Sequence, residues 1–71
     1  MNPPKLSRSE TKSFTAEVQK RCQAIGKSPV MVAALAGVSH ASWYSWRSCR
    51  SLPILSNVAA VRKQLDLLET K

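Results

Sequence analysis

The stretch SPVMVAALAGVSHASWYSW, Ser28 to Trp46, decides how the chain folds. Ser28 is suited to cap a helix, and Pro29 fits the first helical position, where a missing N–H costs nothing. No breaker follows until Gly37, which can take the left-handed backbone that closes a helix. Ser39 then offers a second cap, and HASWYSWR continues as a new helix. Two short helices joined by three or four residues around a glycine are a helix-turn-helix.

Outward from that stretch, the spacing predicts two longer helices. Phe14, Val18, Cys22 and Ile25 recur every three or four residues and make one apolar face, which Gly26 ends. Ser7-x-x-Glu10 has capping-box spacing, so this helix can start that early, with Thr15 as a later cap. After the motif, Pro53 opens a final helix over about 54–69, with Ser56 or Asn57 as other possible caps. Leu55, Val58, Val61, Leu65 and Leu68 trace its core stripe. Within the motif, Val32, Ala33 and Ala36 face inward, and Leu35 covers an edge. Trp43 and Trp46 fall on the inner stripe of the third helix and are expected against helices one and four. The fold expected is all-α, a compact domain of four or five helices over 9–71, preceded by a flexible basic arm over 1–8.

Composition narrows the function. The 71 residues carry eleven Lys and Arg against four Asp and Glu, a formal charge of +7. Such an excess suits a polyanion, nucleic acid before an anionic membrane surface. One His, four acids and two cysteines, none at metal-ligand spacing, leave nothing from which to build an active site. No enzyme, cofactor, metal or small-molecule ligand is therefore expected. Cys22 reads as a buried apolar residue and Cys49 as a free loop thiol. The start MNPPKLSRSE has no apolar run, and no segment approaches the ~20 residues of a membrane span, so a cytoplasmic, nucleoid-associated protein is expected.

The third helix is the centre of the functional reading. At ~100° per residue, Ala41, Tyr44, Ser45 and Ser48 point away from the tryptophans, with His40 on the flank. That outer face has no Glu, Asp or Lys. Hydroxyls can pair with several bases, His can donate to a guanine acceptor, and Ala41 can meet a thymine methyl. His40 also reads as an exposed helix-start residue with no partner. Ser28 can cap its helix, meet a phosphate beside Lys27 and the free N–H groups near Val30 and Met31, or do both. Arg47 and Arg50 complement the helix dipole and can clamp phosphates. Lys5, Arg8 and Lys12 read either as a solvated tail or as a basic arm on the phosphate backbone.

The pattern Ala33-x3-Gly37-Val38-Ser39-x2-Ser42-Trp43-x2-Trp46 resembles the phage lambda repressor and Cro-like helix-turn-helix family. In that family the small residue lets the two helices touch, the glycine makes the turn, and apolar residues pin the second helix. Arg47-Ser48-Cys49-Arg50-Ser51-Leu52-Pro53 looks like the basic loop and proline that follow. The similarity spans roughly Phe14 to Leu68 and is sharp from Ser28 to Pro53. Pro29 stands where the family usually has Gln. Cys49 stands where it commonly has Gly, which suggests a less tight exit from the helix. Tyr44 lies in an unusually aromatic setting.

The resemblance implies a sequence-specific regulator of transcription, a Cro-like phage or prophage repressor that binds double-stranded DNA as a homodimer. Its two recognition helices, 39–48, would enter the major groove one turn apart, ~34 Å. Ser39, His40, Ala41, Tyr44 and Ser45 are then the base-reading residues, and Lys27, Ser28, Ser42, Arg47 and Arg50 the phosphate contacts. Ile54, Ala60 and Leu67 are apolar surplus on the last helix and the expected dimer interface; scattered apolar residues of this kind also occur on monomers. Two other readings stay open: a recombination-directionality or transposition-associated DNA-binding factor, and a protein-interaction module such as an antirepressor that keeps the fold.

Overall fold

The computed structural model describes residues 3–70 and holds four helices in them: α1 (Arg8–Ile25), α2 (Pro29–Leu35), α3 (His40–Arg47) and α4 (Leu55–Glu69). The expected all-helical domain is present, with four helices and no strand among the described residues.

The start of α1 follows from its sequence. Ser7 accepts from the Glu10 N–H at 3.1 Å, and Glu10 Oε1 accepts from the Ser7 N–H at 2.8 Å, so both halves of a capping box form. Thr15 is not a cap; it is buried in mid-helix, where its hydroxyl donates to the Lys12 carbonyl at 3.1 Å.

Three of the helices end in the same way. Gly26 has φ 68°, with Lys27 N–H bonded to Cys22 O and Gly26 N–H to Gln23 O. Gly37 has φ 83°, with Val38 N–H bonded to Ala33 O and Gly37 N–H to Ala34 O. Cys49 has φ 58°, with Arg50 N–H bonded to Ser45 O and Cys49 N–H to Trp46 O. Each is a Schellman motif, which returns the last carbonyls of a helix to hydrogen bonding. The exit from α3 is therefore tight rather than relaxed. Cys49 adopts the left-handed backbone that a glycine would take freely, at a cost of roughly 1–2 kcal/mol.

The core joins all four helices: Phe14, Val18 and Cys22 of α1, Val32 and Ala33 of α2, Val38, Trp43 and Trp46 around α3, and Val58, Val61 and Leu65 of α4. Trp46 meets Phe14 with ring centroids 6.1 Å apart and planes tilted by 56°, a favourable aromatic arrangement. The backbone of α3 lies against α1 and α2, and α4 packs on α1 and α2; Trp43 and Trp46 share one core with residues of both α1 and α4.

The ends of the chain hold a second correction. Pro53 is buried but does not open α4; Ile54 is the residue before the helix and provides no side-chain cap. Leu55, expected in the core, is 43% exposed. The first N–H of α4 is satisfied from a distance, because Leu55 N–H donates to Pro4 O at 3.0 Å while Leu6 N–H donates to Pro53 O at 3.0 Å. Lys5 and Ile54 thus form an antiparallel bridge, and Leu6 packs on the core. The expected flexible arm over 1–8 is instead pinned from Pro4 to Leu6 and helical from Arg8; Met1 and Asn2 lie outside the described residues.

Candidate nucleic-acid interface

The turn between α2 and α3 sets the outer face of α3. Val38, the residue after Gly37, is buried beside Ala33, so the chain enters α3 with its direction fixed. Ser39 caps α3 by accepting from the Ser42 N–H at 3.2 Å. Trp43 and Trp46, 1% and 4% exposed, fix the rotation of the helix. The opposite face then carries Ala41, Tyr44 and Ser48 exposed, Ser45 half-buried, and His40 exposed on the flank. Tyr44 is 53% exposed, a high value for an aromatic residue on so small a domain.

Ala41, Tyr44, Ser45, Ser48 and Arg50 line a shallow hollow of about 430 Å³. The Ser48 hydroxyl lies 3.2 Å from both the Tyr44 and Ser45 carbonyls, so its proton is held by the backbone while its lone pairs face outward. Ser39 Oγ donates to Ser42 Oγ at 3.1 Å. The Ser39 hydroxyl is therefore committed to the cap, and the Ser42 hydroxyl keeps a proton free to donate. Of the five expected base readers, His40, Ala41, Tyr44 and Ser45 share one accessible surface, and Ser39 stands at its edge with its hydroxyl occupied.

The expected phosphate contacts divide into two groups. Lys27 and Ser28 are exposed at the start of α2. Ser28 occupies the capping position but makes no side-chain cap bond, so its hydroxyl is free. At the other end of α3, Arg47 and Arg50 are exposed. With its amide oxygen turned toward the guanidinium, Gln19 of α1 accepts from Arg47 Nε at 3.1 Å and Nη2 at 3.2 Å. A neutral partner thus steadies Arg47 without cancelling its charge.

The sequence offers Arg8 and Lys12, with Lys5, as a solvated tail or a basic arm on phosphates, but does not set them beside α3. Arg8, Ser9 and Lys12 of α1 meet Arg47, Ser48 and Cys49 across a cleft of about 500 Å³, and Ser48 lines both this cleft and the hollow on α3. The (i, i+4) spacing of Arg8 and Lys12 was the available signal, but nothing local places them beside the end of α3.

The carboxylates are all elsewhere. Glu10 is engaged by Ser7. Glu17 accepts from Arg62 at 2.8 and 3.2 Å and from Arg21 at 3.2 Å. Arg21 also holds Glu69 at 2.6 and 2.9 Å and Asp66 at 2.6 Å, across the seam between α1 and α4. The Arg62 guanidinium, with help from Arg21, keeps the Glu17 carboxyl below its ordinary pKa, and Arg21 does the same for Glu69. All four acids of the chain are thus bound into the scaffold, and none lines the α3 hollow or the cleft beside it.

The expected dimer residues are brought together only in part. Ile54 is half-buried at the bridge to Lys5, and Leu67, 53% exposed, lies thirteen residues further on, ~20 Å along α4. Ala60 is half-buried and shares a helix face with Leu67 at seven-residue spacing. No helix of the described residues is long and apolar enough to cross a membrane. Comparisons of the chain with protein-family models, with curated proteins and with solved structures find no match.

Proposed function

We propose that this protein is a sequence-specific double-stranded DNA-binding regulator of transcription. In this reading α2 and α3 act as a lambda repressor-like helix-turn-helix, and the outer face of α3 enters the major groove. The observation that carries the reading is the acid-free outer face of α3, whose rotation is fixed by two buried tryptophans and whose C-terminal end carries Arg47 and Arg50, with Lys27 exposed at the start of α2. A helix docked in the groove needs small or polar outward residues for the base edges and cations at its margins for the phosphates. His40 and Ala41 sit at the end of α3 that penetrates deepest in this docking, and Tyr44 and Ser45 lie one turn later.

A second copy of the chain would supply the matching half-site, with the face of α4 that carries Ala60 and the exposed Leu67 as its contact. A Cro-like repressor acting in the cytoplasm at the nucleoid fits these features.

The experiment is equilibrium binding to duplex DNA over a range of salt. Contacts to phosphates at Lys27, Arg47 and Arg50 release counterions, so affinity should fall steeply and linearly in log–log form as salt rises. Each of the three changed singly to Ala should lower the slope by about one ion and weaken all duplexes alike. A flat salt response would exclude DNA binding and favour a protein-interaction module.

A further inference from the structure

We infer that the cleft between the start of α1 and the end of α3 is a binding site for a phosphodiester phosphate of the duplex strand that flanks α3. The inference rests on the DNA-binding reading above and extends it, since it makes α1 part of the interface. Arg8 and Lys12 stand one turn apart on the same edge of α1, and Arg47 reaches the cleft from α3. The Ser9 hydroxyl completes a lining of three cations and one neutral donor with no carboxylate, while Ser48, its proton held by the Tyr44 and Ser45 carbonyls, lines the cleft without donating to it. Glu10 would spoil this lining, but the capping box draws it to the Ser7 N–H, and it lines a separate hollow with Glu17 and Arg62.

The geometry suits a phosphodiester in three further respects. Gln19 steadies the Arg47 guanidinium through Nε and Nη2, which leaves its remaining N–H groups for an anion. The left-handed turn at Cys49 brings its Sγ to 4.0 Å from the Arg8 carbonyl, so the end of α3 is seated on the start of α1. Ser48 lines both the cleft and the α3 hollow, so a strand passing the outer face of α3 meets the cleft next. A singly charged tetrahedral group with two free oxygens can accept from a guanidinium, an ammonium and a hydroxyl together.

The test measures binding of the full chain to a duplex selected from a random pool and to a scrambled duplex, across a salt series. Arg8→Ala and Lys12→Ala should each weaken binding about threefold to tenfold on both duplexes and lower the salt slope by about one. Lys20→Ala and Lys63→Ala, which remove cations outside the cleft, serve as controls and should leave the slope nearly unchanged. Arg8 and Lys12 are exposed, so thermal melting should be unaffected and folding does not confuse the result. Replacing single phosphates by neutral methylphosphonates should reveal one flanking position that weakens the wild type but not Lys12→Ala. If Arg8→Ala and Lys12→Ala match the controls while the wild type still binds with a steep slope, the cleft is not a phosphate site and the regulator reading stands. If the wild type itself binds no duplex, both fail.

Discussion

The seam between α1 and α4 and the outer face of α3 use charge in opposite ways. At the seam, Arg21 and Arg62 gather Glu17, Asp66 and Glu69, so nearly every charged group has a partner of opposite sign. On and beside α3, Arg47 and Arg50 face no carboxylate, and the hydroxyls that are tied down are tied to backbone or to each other. A sequence with only four acids that assigns three to one seam and the fourth to a helix cap leaves its cations concentrated on the remaining surface. The seam is built for stability. The α3 face contributes little to stability through its outward groups, so its lack of acids calls for another account, and attraction of a polyanion supplies one.

The contrast can be broken most directly at the residues that hold the two regions together. Trp46 is buried against Phe14 and joins α3 to α1, so Trp46→Ala should destabilise the domain by ~3–5 kcal/mol, most or all of what so small a core provides. Loss of a cooperative thermal transition would show this. Native fluorescence typical of water-exposed tryptophan in the unmutated protein would contradict the packing.

A smaller effect is expected at the seam. Arg21 lies in a network rather than an isolated pair, and its side chain is only a quarter exposed, so Arg21→Ala should cost about 1–2 kcal/mol. The pH dependence follows from the carboxyls it serves. Glu17 and Glu69 have folded pKa values below their unfolded ones, so their contribution is complete above the unfolded values, near pH 4–5. It is lost as pH falls through the folded values, because there the folded carboxylates finally protonate. Melting temperature should therefore fall below about pH 4 in the wild type, and fall less in Arg21→Ala, which releases Glu69 while Arg62 still holds Glu17; equal acid sensitivity would show that Arg21 does not lower the Glu69 pKa.

The smallest effects distinguish the two serines of the helix-turn-helix. Ser39 accepts the Ser42 N–H, so Ser39→Ala should lose about 1 kcal/mol in urea unfolding, whereas Ser28→Ala, with no cap bond to lose, should change stability by under about 0.5 kcal/mol. A large loss at Ser28 would mean that its hydroxyl is structural rather than free for a ligand.

How much of this was legible depends on how local the cause is. The capping box at Ser7 and Glu10, the left-handed turns at Gly26 and Gly37, and the inward tryptophans follow from neighbours within a few residues, and the sequence indicates each of them. The same holds for the outer face of α3, since helical periodicity alone separates Tyr44 from Trp43. The left-handed Cys49 is misread from sequence. It stands where the resembled family commonly has Gly, but a side chain there suggests a relaxed exit, whereas the end of α3 is held against the start of α1 in the tight turn. The pinned segment from Pro4 to Leu6, the buried Pro53 and the exposed Leu55 depend on backbone bonds between residues about fifty apart. The Arg21 network and the cleft at Arg8 and Lys12 likewise arise from tertiary approach, which spacing along one helix cannot reveal.

The central claim is that the outer face of α3 reads bases, and one pair of titrations tests it. His40→Ala and Ser45→Ala are each titrated against a duplex selected by the wild-type protein and against a scrambled duplex, with helical content checked beside the wild type. Each lost base contact should cost ~1–3 kcal/mol on the selected duplex and far less on the scrambled one. Equal losses on the two duplexes, with the fold intact, would contradict base reading and reduce this face to a backbone contact.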